Sequence, residues 1–273
     1  MLSIITITYN DPNALAATCA SLEPFAATCA GRGRRWQHVI VDGSPAVNAG
    51  VIAGLKNWPL KHVVREARGV YTAMNDGIAE AEGDQLWFLN GGDRAADARV
   101  ALDFLGEFAR DAKLDLVIGA AERWQGGRLR YATRPRGSFL GNLLGYNRVC
   151  HQAVIYRREL FARMGAYSDR YPIAGDYEHL VRAYVGGARA RMRTECLARV
   201  DAGGVSDVRW GQSMAEFREI SRELLAPKLN PVQRWRNEGE WAAKVAELRL
   251  LKRVKASPLN RLLQPIWIWW KRG

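Results

Sequence analysis

The sequence predicts an α/β protein, a mainly parallel sheet flanked by helices, with a helical C-terminal extension. Three observations carry this. Short β-branched or aromatic runs alternate with helix-length segments over the first 120 residues, the pattern of a parallel sheet built by right-handed crossovers. Residues 86–89 are apolar throughout, as a strand covered on both faces must be, and run straight into Asn90-Gly91-Gly92-Asp93. From about Asp207 the composition turns helical, and residues 252–273 carry six basic side chains and no acidic one.

The elements follow in order. Leu2–Thr8 is a β-branched run and reads as the first strand. Asp11 as N-cap and Pro12 at the first helical position open a helix that is expected to reach about Glu23. Residues 38–41 form a second strand ending in Asp42-Gly43-Ser44-Pro45, a turn signal. Residues 61–65 form a third strand and 86–89 a fourth. Between those two, Val70, Ala73, Met74, Gly77, Ile78 and Ala81 line one helical face. Residues 99–111 read as a helix and 114–119 as a strand. Residues 123–140, rich in Arg and Gly, read as a mobile loop over the site. Residues 152–156 are strand-like, Asp176 opens a helix that Gly186-Gly187 ends, and 189–200 read as a further strand.

A chain of 273 residues with 48% hydrophobic and 25% charged side chains has an ordinary globular composition. Its net charge of +12 points to an anionic partner: a nucleotide phosphate, nucleic acid or an acidic membrane surface. Cys19, Cys29, Cys150 and Cys196 show no Cys-x-x-Cys spacing, so a reducing cytoplasm fits better than a disulfide framework. Residues 1–9 read as a strand, not a signal peptide, and no apolar run approaches the roughly 20 residues of a membrane span. The expected location is cytoplasmic or peripheral on the inner face of the cytoplasmic membrane. Residues 258–272 set Trp267, Trp269 and Trp270 beside Arg261, Lys271 and Arg272. That mixture suits a bilayer interface, and equally a helix packed on the domain or an oligomer contact.

Four groups fall at strand ends: Thr8-Tyr9-Asn10-Asp11, Asp42-Gly43-Ser44, Glu66-Ala67-Arg68-Gly69 and Asn90-Gly91-Gly92-Asp93. A parallel sheet projects all four from one edge, as one crevice. Asp42 suits hydrogen bonds from a base or ribose, Arg68 a diphosphate, and Tyr9 the face of a nucleobase. Asp93, with two glycines beside it, suits a hard divalent cation bridging to phosphate oxygens. Each has a plainer reading, as a closed turn or a solvated charge; their arrival on one edge is the stronger signal. No Gly-x-Gly-x-x-Gly or Gly-x-x-x-x-Gly-Lys-Ser fingerprint is present.

Several motifs stand in order: Ser3-Ile4-Ile5-Thr6-Ile7-Thr8-Tyr9-Asn10, Val41-Asp42-Gly43-Ser44, Arg68-Gly69-Val70-Tyr71-Thr72-Ala73-Met74-Asn75-Asp76-Gly77-Ile78 and Phe88-Leu89-Asn90-Gly91-Gly92-Asp93. Cys150-His151-Gln152-Ala153 and Ala174-Gly175-Asp176-Tyr177-Glu178-His179-Leu180-Val181-Arg182 follow. The set resembles the family 2 inverting glycosyltransferases of the GT-A fold, closest to bacterial members that build exopolysaccharide or lipopolysaccharide. The resemblance implies a UDP-, GDP- or dTDP-linked sugar donor, a glycan or lipid-linked acceptor, and Mn²⁺ or Mg²⁺. It places Thr8, Tyr9, Asn10, Asp42, Arg68 and Asn75 at the nucleotide, Asp93 at the metal, and Asp176 as the general base. His151 and Gln152 would touch acceptor or donor.

Two departures from the family pattern matter. Gly91 stands where a second acid of the Asp-x-Asp motif would fall, and Gly175 where many relatives have Glu. Asp176 also reads as a plain helix N-cap. Gly203-Gly204-Val205-Ser206 resembles a family loop near the end of a catalytic domain of residues 1–206, with a nucleotide-binding half to about 120. Residues 207–273 would then be the extension. A nucleotidyltransferase would need a Gly-rich phosphate loop with a lysine near residue 10, which is missing. A nucleic-acid-binding protein leaves Asp42, Asp93 and Asp176 in the cleft unexplained, because carboxylates repel a phosphate backbone. A degenerate, binding-only relative stays open through Gly91 and Gly175.

Overall fold

The structure, a computed structural model, describes residues 1–201 and 209–255. The Gly203-Gly204-Val205-Ser206 loop and the tryptophan-rich tail lie outside the described residues. The first four strands, β1 (Leu2–Thr8), β2 (Trp36–Asp42), β3 (Leu60–Val64) and β4 (Gln85–Phe88), are mutually parallel, in the spatial order β3-β2-β1-β4. Helices α1 (Pro12–Gly31), α2 (Pro45–Gly54) and α3 (Val70–Glu80) connect them. The sheet continues through β8 (Val154–Arg157), β6 (Leu116–Gln125), β9 (Ala190–Asp201) and the short β5 (Arg94–Ala95). Strand β8 runs antiparallel to both β4 and β6, so the sheet is mixed beyond β4. The cause is local: residues 150–153 already sit at the carboxyl edge of β4, and the chain must run back along it.

Both faces of the sheet are covered. Successive residues of a strand point to opposite faces. Ile5, Phe88 and Tyr156 therefore join the core under α3 and α7 (Gly175–Val185), while Ile4, Trp87 and Ile155 join the core under α1 and α4 (Ala98–Arg110). Buried polar pairs lock β1 to β2: the Ser3 hydroxyl donates to Gln37 Oε1 at 2.6 Å, and Thr6 Oγ1 lies 2.9 Å from His38 Nε2. Burial lowers His38 to about 3, so it is neutral in the core. Helix α3 approaches β1 closely because Gly77 has no side chain; a Cβ there would lie 2.4 Å from Ile5 Cγ2.

Several sequence expectations change. Helix α1 continues past Glu23 and through Pro24 to Gly31, because Leu22, Phe25 and Cys29 bury one continuous face while Pro24 stays exposed. Residues 123–140 are not a loop: β6 extends to Gln125 and pairs with β7 (Arg128–Thr133). Gly126 and Gly127, both at positive φ (57° and 73°), make the tight two-residue turn of a twisted hairpin. A short helix, α5 (Phe139–Leu143), follows, and α6 (Arg158–Met164) comes after β8. The C-terminal segment is helical as expected, with α8 (Trp210–Ile220) packed on α7 and α9 (Pro231–Lys255) beyond it. No helix among the described residues is long and apolar enough to cross a membrane.

Gly77→Ala should therefore lower stability by about 1–3 kcal/mol through overpacking. Gly50→Ala, on exposed α2 with nothing within 4 Å of its Cβ position, should be neutral or raise it by up to about 1 kcal/mol. Urea midpoints of the two variants read the contrast.

Candidate active site

The parallel strands end along one edge. Thr8 is in register with Asp42, and the β1–β4 pairing continues through the Gly91 N–H to the Ile7 carbonyl at 3.0 Å. Asp42, Thr8 and Gly91 therefore stand in a row spanning two strand spacings, about 10 Å.

At one end of the row the Asp42 carboxylate is fully buried. Its Oδ1 accepts the Ser44 N–H at 2.8 Å and the Asn48 amide at 2.7 Å, and its Oδ2 lies 3.0 Å from His62 Nε2. The Ser44 hydroxyl accepts the Asn10 N–H at 2.7 Å, and Asn10 turns the chain with a φ of 52°. The Gly43 N–H reaches the Thr8 carbonyl at 3.0 Å. Asp42 thus orders both turns that frame this end. Tyr9 is 61% exposed and lies over Gly43, where a Cβ would come within 3.0 Å of its ring. Arg68 is exposed, 3.7 Å from Asp76. Asn75 bonds the main chain of Tyr167 with both ends of its amide, at 2.9 Å each. Its side chain is committed to tying α3 to the turn after α6, and not to the edge group.

At the other end lies the turn 90–93. Gly92 adopts a φ of 99°, which a residue with a side chain rarely takes. Its N–H meets the Ala14 carbonyl at 3.0 Å and the Thr18 hydroxyl at 2.9 Å, and the same hydroxyl lies 2.8 Å from the Asp93 carbonyl. Thr18 thereby pins the turn from α1, a role the sequence reading missed. The available signal was a threonine within the otherwise apolar stripe Leu15, Cys19 and Leu22.

Asp93 is buried, and its Oδ2 accepts the Asn90 N–H at 3.0 Å and the Gln152 amide at 2.9 Å. Gln152 is held in turn by the Cys150 thiol, 2.9 Å from its Oε1, and by the Trp87 indole N–H, which donates to its carbonyl at 2.7 Å. Burial pushes the Cys150 thiol up to about 12, so it remains a donor. Burial also pushes the Asp93 carboxyl up to about 6, against the lowering effect of the Gln152 bond.

The next side chain, His151, has Nδ1 at 3.5 Å from Asp176 Oδ2. Asp176 Oδ1 accepts the Tyr177 N–H at 2.8 Å and lies 3.2 Å from the Tyr71 hydroxyl. Asp176 sits inside the first turn of α7, after the N-cap Ala174, so the N-cap reading of Asp176 does not hold. Gly175 is explained by Tyr71: a Cβ at 175 would lie 2.8 Å from that ring, leaving no room for the Glu of the family pattern. At Gly91, by contrast, the nearest atoms to a Cβ are 3.5 Å away, an ordinary contact distance. The three acids share one edge, with Asp93 and Asp176 linked through residues 151–152 and Asp42 two strands away.

No three His, Cys, Asp or Glu side chains gather as a metal cluster among the described residues. Two buried side-chain atoms of the residues around Asp93, Asn90 Oδ1 and His151 Nε2, have no hydrogen-bond partner among the described residues. Their donor types, with the Asp93 carboxylate, are an oxygen-and-imidazole chemistry suited to Mn²⁺ or Mg²⁺ if phosphate oxygens supply further ligands. His151 Nε2 is an acceptor when the ring proton is on Nδ1, the nitrogen that faces Asp176.

Residues 3–167 match the model of glycosyl transferase family 2. An uncharacterized glycosyltransferase of Mycobacterium tuberculosis is 31% identical over 233 residues, 81% of this chain and 82% of the relative. A PGL/p-HBAD biosynthesis glycosyltransferase of Mycobacterium bovis is 37% identical over 124 residues, 43% of this chain and 44% of the relative. S. aureus TarS 1-349 in complex with UDP aligns with 96% of this chain and 74% of its own, at a TM-score of 0.60 and 15% identity. The mannosyltransferase PcManGT from Pyrobaculum calidifontis, in complex with GDP-Man and Mn²⁺, aligns with 99% of this chain and 82% of its own, at 0.60 and 16% identity. Those two likenesses are of fold. With its motifs, sheet and family match on the page, the chain belongs to glycosyl transferase family 2, as a glycosyltransferase of the GT-A fold.

Proposed function

We propose that the protein is a metal-assisted inverting glycosyltransferase. It would move a sugar from a nucleotide diphosphate-sugar to a hydroxyl of a glycan or lipid-linked acceptor, in cell-surface polysaccharide synthesis. The observation that carries the reading is the linked series Asp93, Gln152, His151, Asp176 at one end of an edge whose other end is built around Asp42. The UDP, UDP-GlcNAc and GDP-Man complexes of the structural neighbours support the donor class without selecting a nucleotide.

In this mechanism the turns ordered by Asp42, with Thr8, Tyr9 and Asn10, receive the base and ribose, and Arg68 meets the diphosphate. Asp93, Asn90 Oδ1 and His151 Nε2 would hold the cation, which when bound neutralises charge on the departing diphosphate. Inversion needs a base on the face opposite the leaving group. Asp176 supplies it: Oδ1 is fixed by the Tyr177 N–H and the Tyr71 hydroxyl, while Oδ2 has His151 Nδ1 at 3.5 Å, longer than an ordinary hydrogen bond. Oδ2 takes the acceptor proton as the new glycosidic bond forms and the bond to the diphosphate breaks.

A thermal-shift screen of UDP-, GDP- and dTDP-sugars with Mn²⁺ tests the function directly; one nucleotide class should raise the melting temperature, and no shift with any class would refute the reading. Since a cation binds the ionised Asp93 and the carboxyl titrates near 6 without it, Mn²⁺ affinity should be flat above that pH. Below it, affinity should fall about tenfold per pH unit. Asp93→Asn should weaken Mn²⁺-dependent donor binding and remove the carboxylate's share of that slope, read by calorimetry across pH 5–8. Asp176→Asn should leave donor affinity within about twofold while kcat falls about 10²–10⁴-fold. Vesicle sedimentation of the full chain against one truncated after Ser257 tests peripheral membrane association. Equal pelleting of the two would remove it.

A further inference from the structure

Helix α7 carries Asp176 in its first turn but has no side-chain cap of its own at Ala174. The missing partner comes from α8. Glu216 is buried there, and its Oε2 accepts the main-chain N–H of Ile173 at 3.0 Å and of Ala174 at 2.8 Å. Its Oε1 accepts the Gln212 amide at 3.0 Å, so both oxygens are held. Tyr71 grips the same segment from the opposite side, donating to the Ile173 carbonyl at 2.8 Å with its ring against Gly175. The chain leading into Asp176 is thus clamped between a carboxylate of the C-terminal segment and a phenol of α3. Buried, charge-assisted bonds to two adjacent N–H groups define position more sharply than apolar contact does.

We propose that Glu216 is a positioning residue for the transfer reaction, fixing the segment that aims Asp176. Helix α8, beyond the family-matched residues 3–167, is then part of the catalytic unit. This rests on the reading of Asp176 as the base. Without the carboxylate, two buried N–H groups lose their acceptor and the segment relaxes. A displacement of about 1 Å at a reacting group is enough to slow a reaction roughly 10²-fold. The donor end is held by other bonds, those of Thr18, Ser44 and Asn10, and would not move.

That separation is the basis of the test. Glu216→Ala, Glu216→Asp, Glu216→Gln and Asp176→Asn are made in the full chain. Turnover is read as UDP or GDP release from UDP-glucose, UDP-GlcNAc and GDP-mannose with Mn²⁺, and diphosphate binding by calorimetry with UDP and GDP. Glu216→Ala should lower kcat about 10- to 100-fold with donor KM and diphosphate Kd within about twofold. Amide exchange should quicken over residues 172–178 and not over 86–93. Glu216→Gln keeps an oxygen for the two N–H groups and should recover to within about fivefold of the parent. Glu216→Asp, one methylene short, should show the same kcat-only loss in milder form, and serves if the alanine variant does not fold. Unchanged kcat in both shortened variants would overturn the proposal, as would a rise in KM and Kd together with a fall in melting temperature that Glu216→Gln does not recover. If Asp176→Asn turns over like the parent, the base reading fails; if it is inactive while the shortened variants are unimpaired, the clamp alone fails.

Discussion

The hydrogen bond from the Gln152 amide to the buried Asp93 carboxylate joins the two halves of the site. Asp93 belongs to the turn after β4, among the parallel strands. Gln152 belongs to the segment that enters β8, the strand at which the sheet changes direction. Through this contact, and through Trp87 donating to the Gln152 carbonyl, the neighbouring His151 is carried to Asp176 on α7. The antiparallel insertion of β8 is therefore what brings an acid from the second half of the chain to the carboxyl edge of the first.

The electrostatics of the junction follow from burial. Burial pushes the Asp93 carboxyl up to about 6, and the Gln152 bond, His151 and Arg123 offset that only in part. A divalent cation bound there, as proposed, would hold the carboxylate ionised and give Asn90 Oδ1 and His151 Nε2 a partner. On the proposed function a lone acid would serve because phosphate oxygens would bring further ligands, and metal and donor binding would then depend on each other. The net charge of +12 acts at longer range, favouring approach of any phosphate-bearing ligand.

The parts of this arrangement that rest on local chemistry were readable in the sequence. The run of Leu2–Thr8, the Asp42-Gly43-Ser44 turn and the Asn90-Gly91-Gly92-Asp93 turn are written in residue types whose backbone preferences are strong, and the strands appear where those preferences put them. What depends on contact between distant segments was not readable. Pro24 would end an isolated helix, and only the packing of Phe25 and Cys29 carries α1 beyond it. The Gly126-Gly127 turn was a local hairpin signal, obscured by the arginines around it. Thr18 and Glu216 act through main-chain groups 72 or more and 42 or more residues away, and no spacing rule marks such partners. Asn75 sits in a recognisable motif, yet its amide serves the fold because Tyr167 meets it there.

The account's central claim is that a cation held at Asp93 joins the nucleotide end of the edge to the base on α7. Anomalous scattering from crystals of the full chain grown with Mn²⁺ and UDP or GDP tests it most directly. The account predicts a manganese peak within coordination distance of Asp93, touching the diphosphate, with Asp176 on the far side of the sugar position. A nucleotide bound with no metal at Asp93, or a metal seated elsewhere, would contradict it.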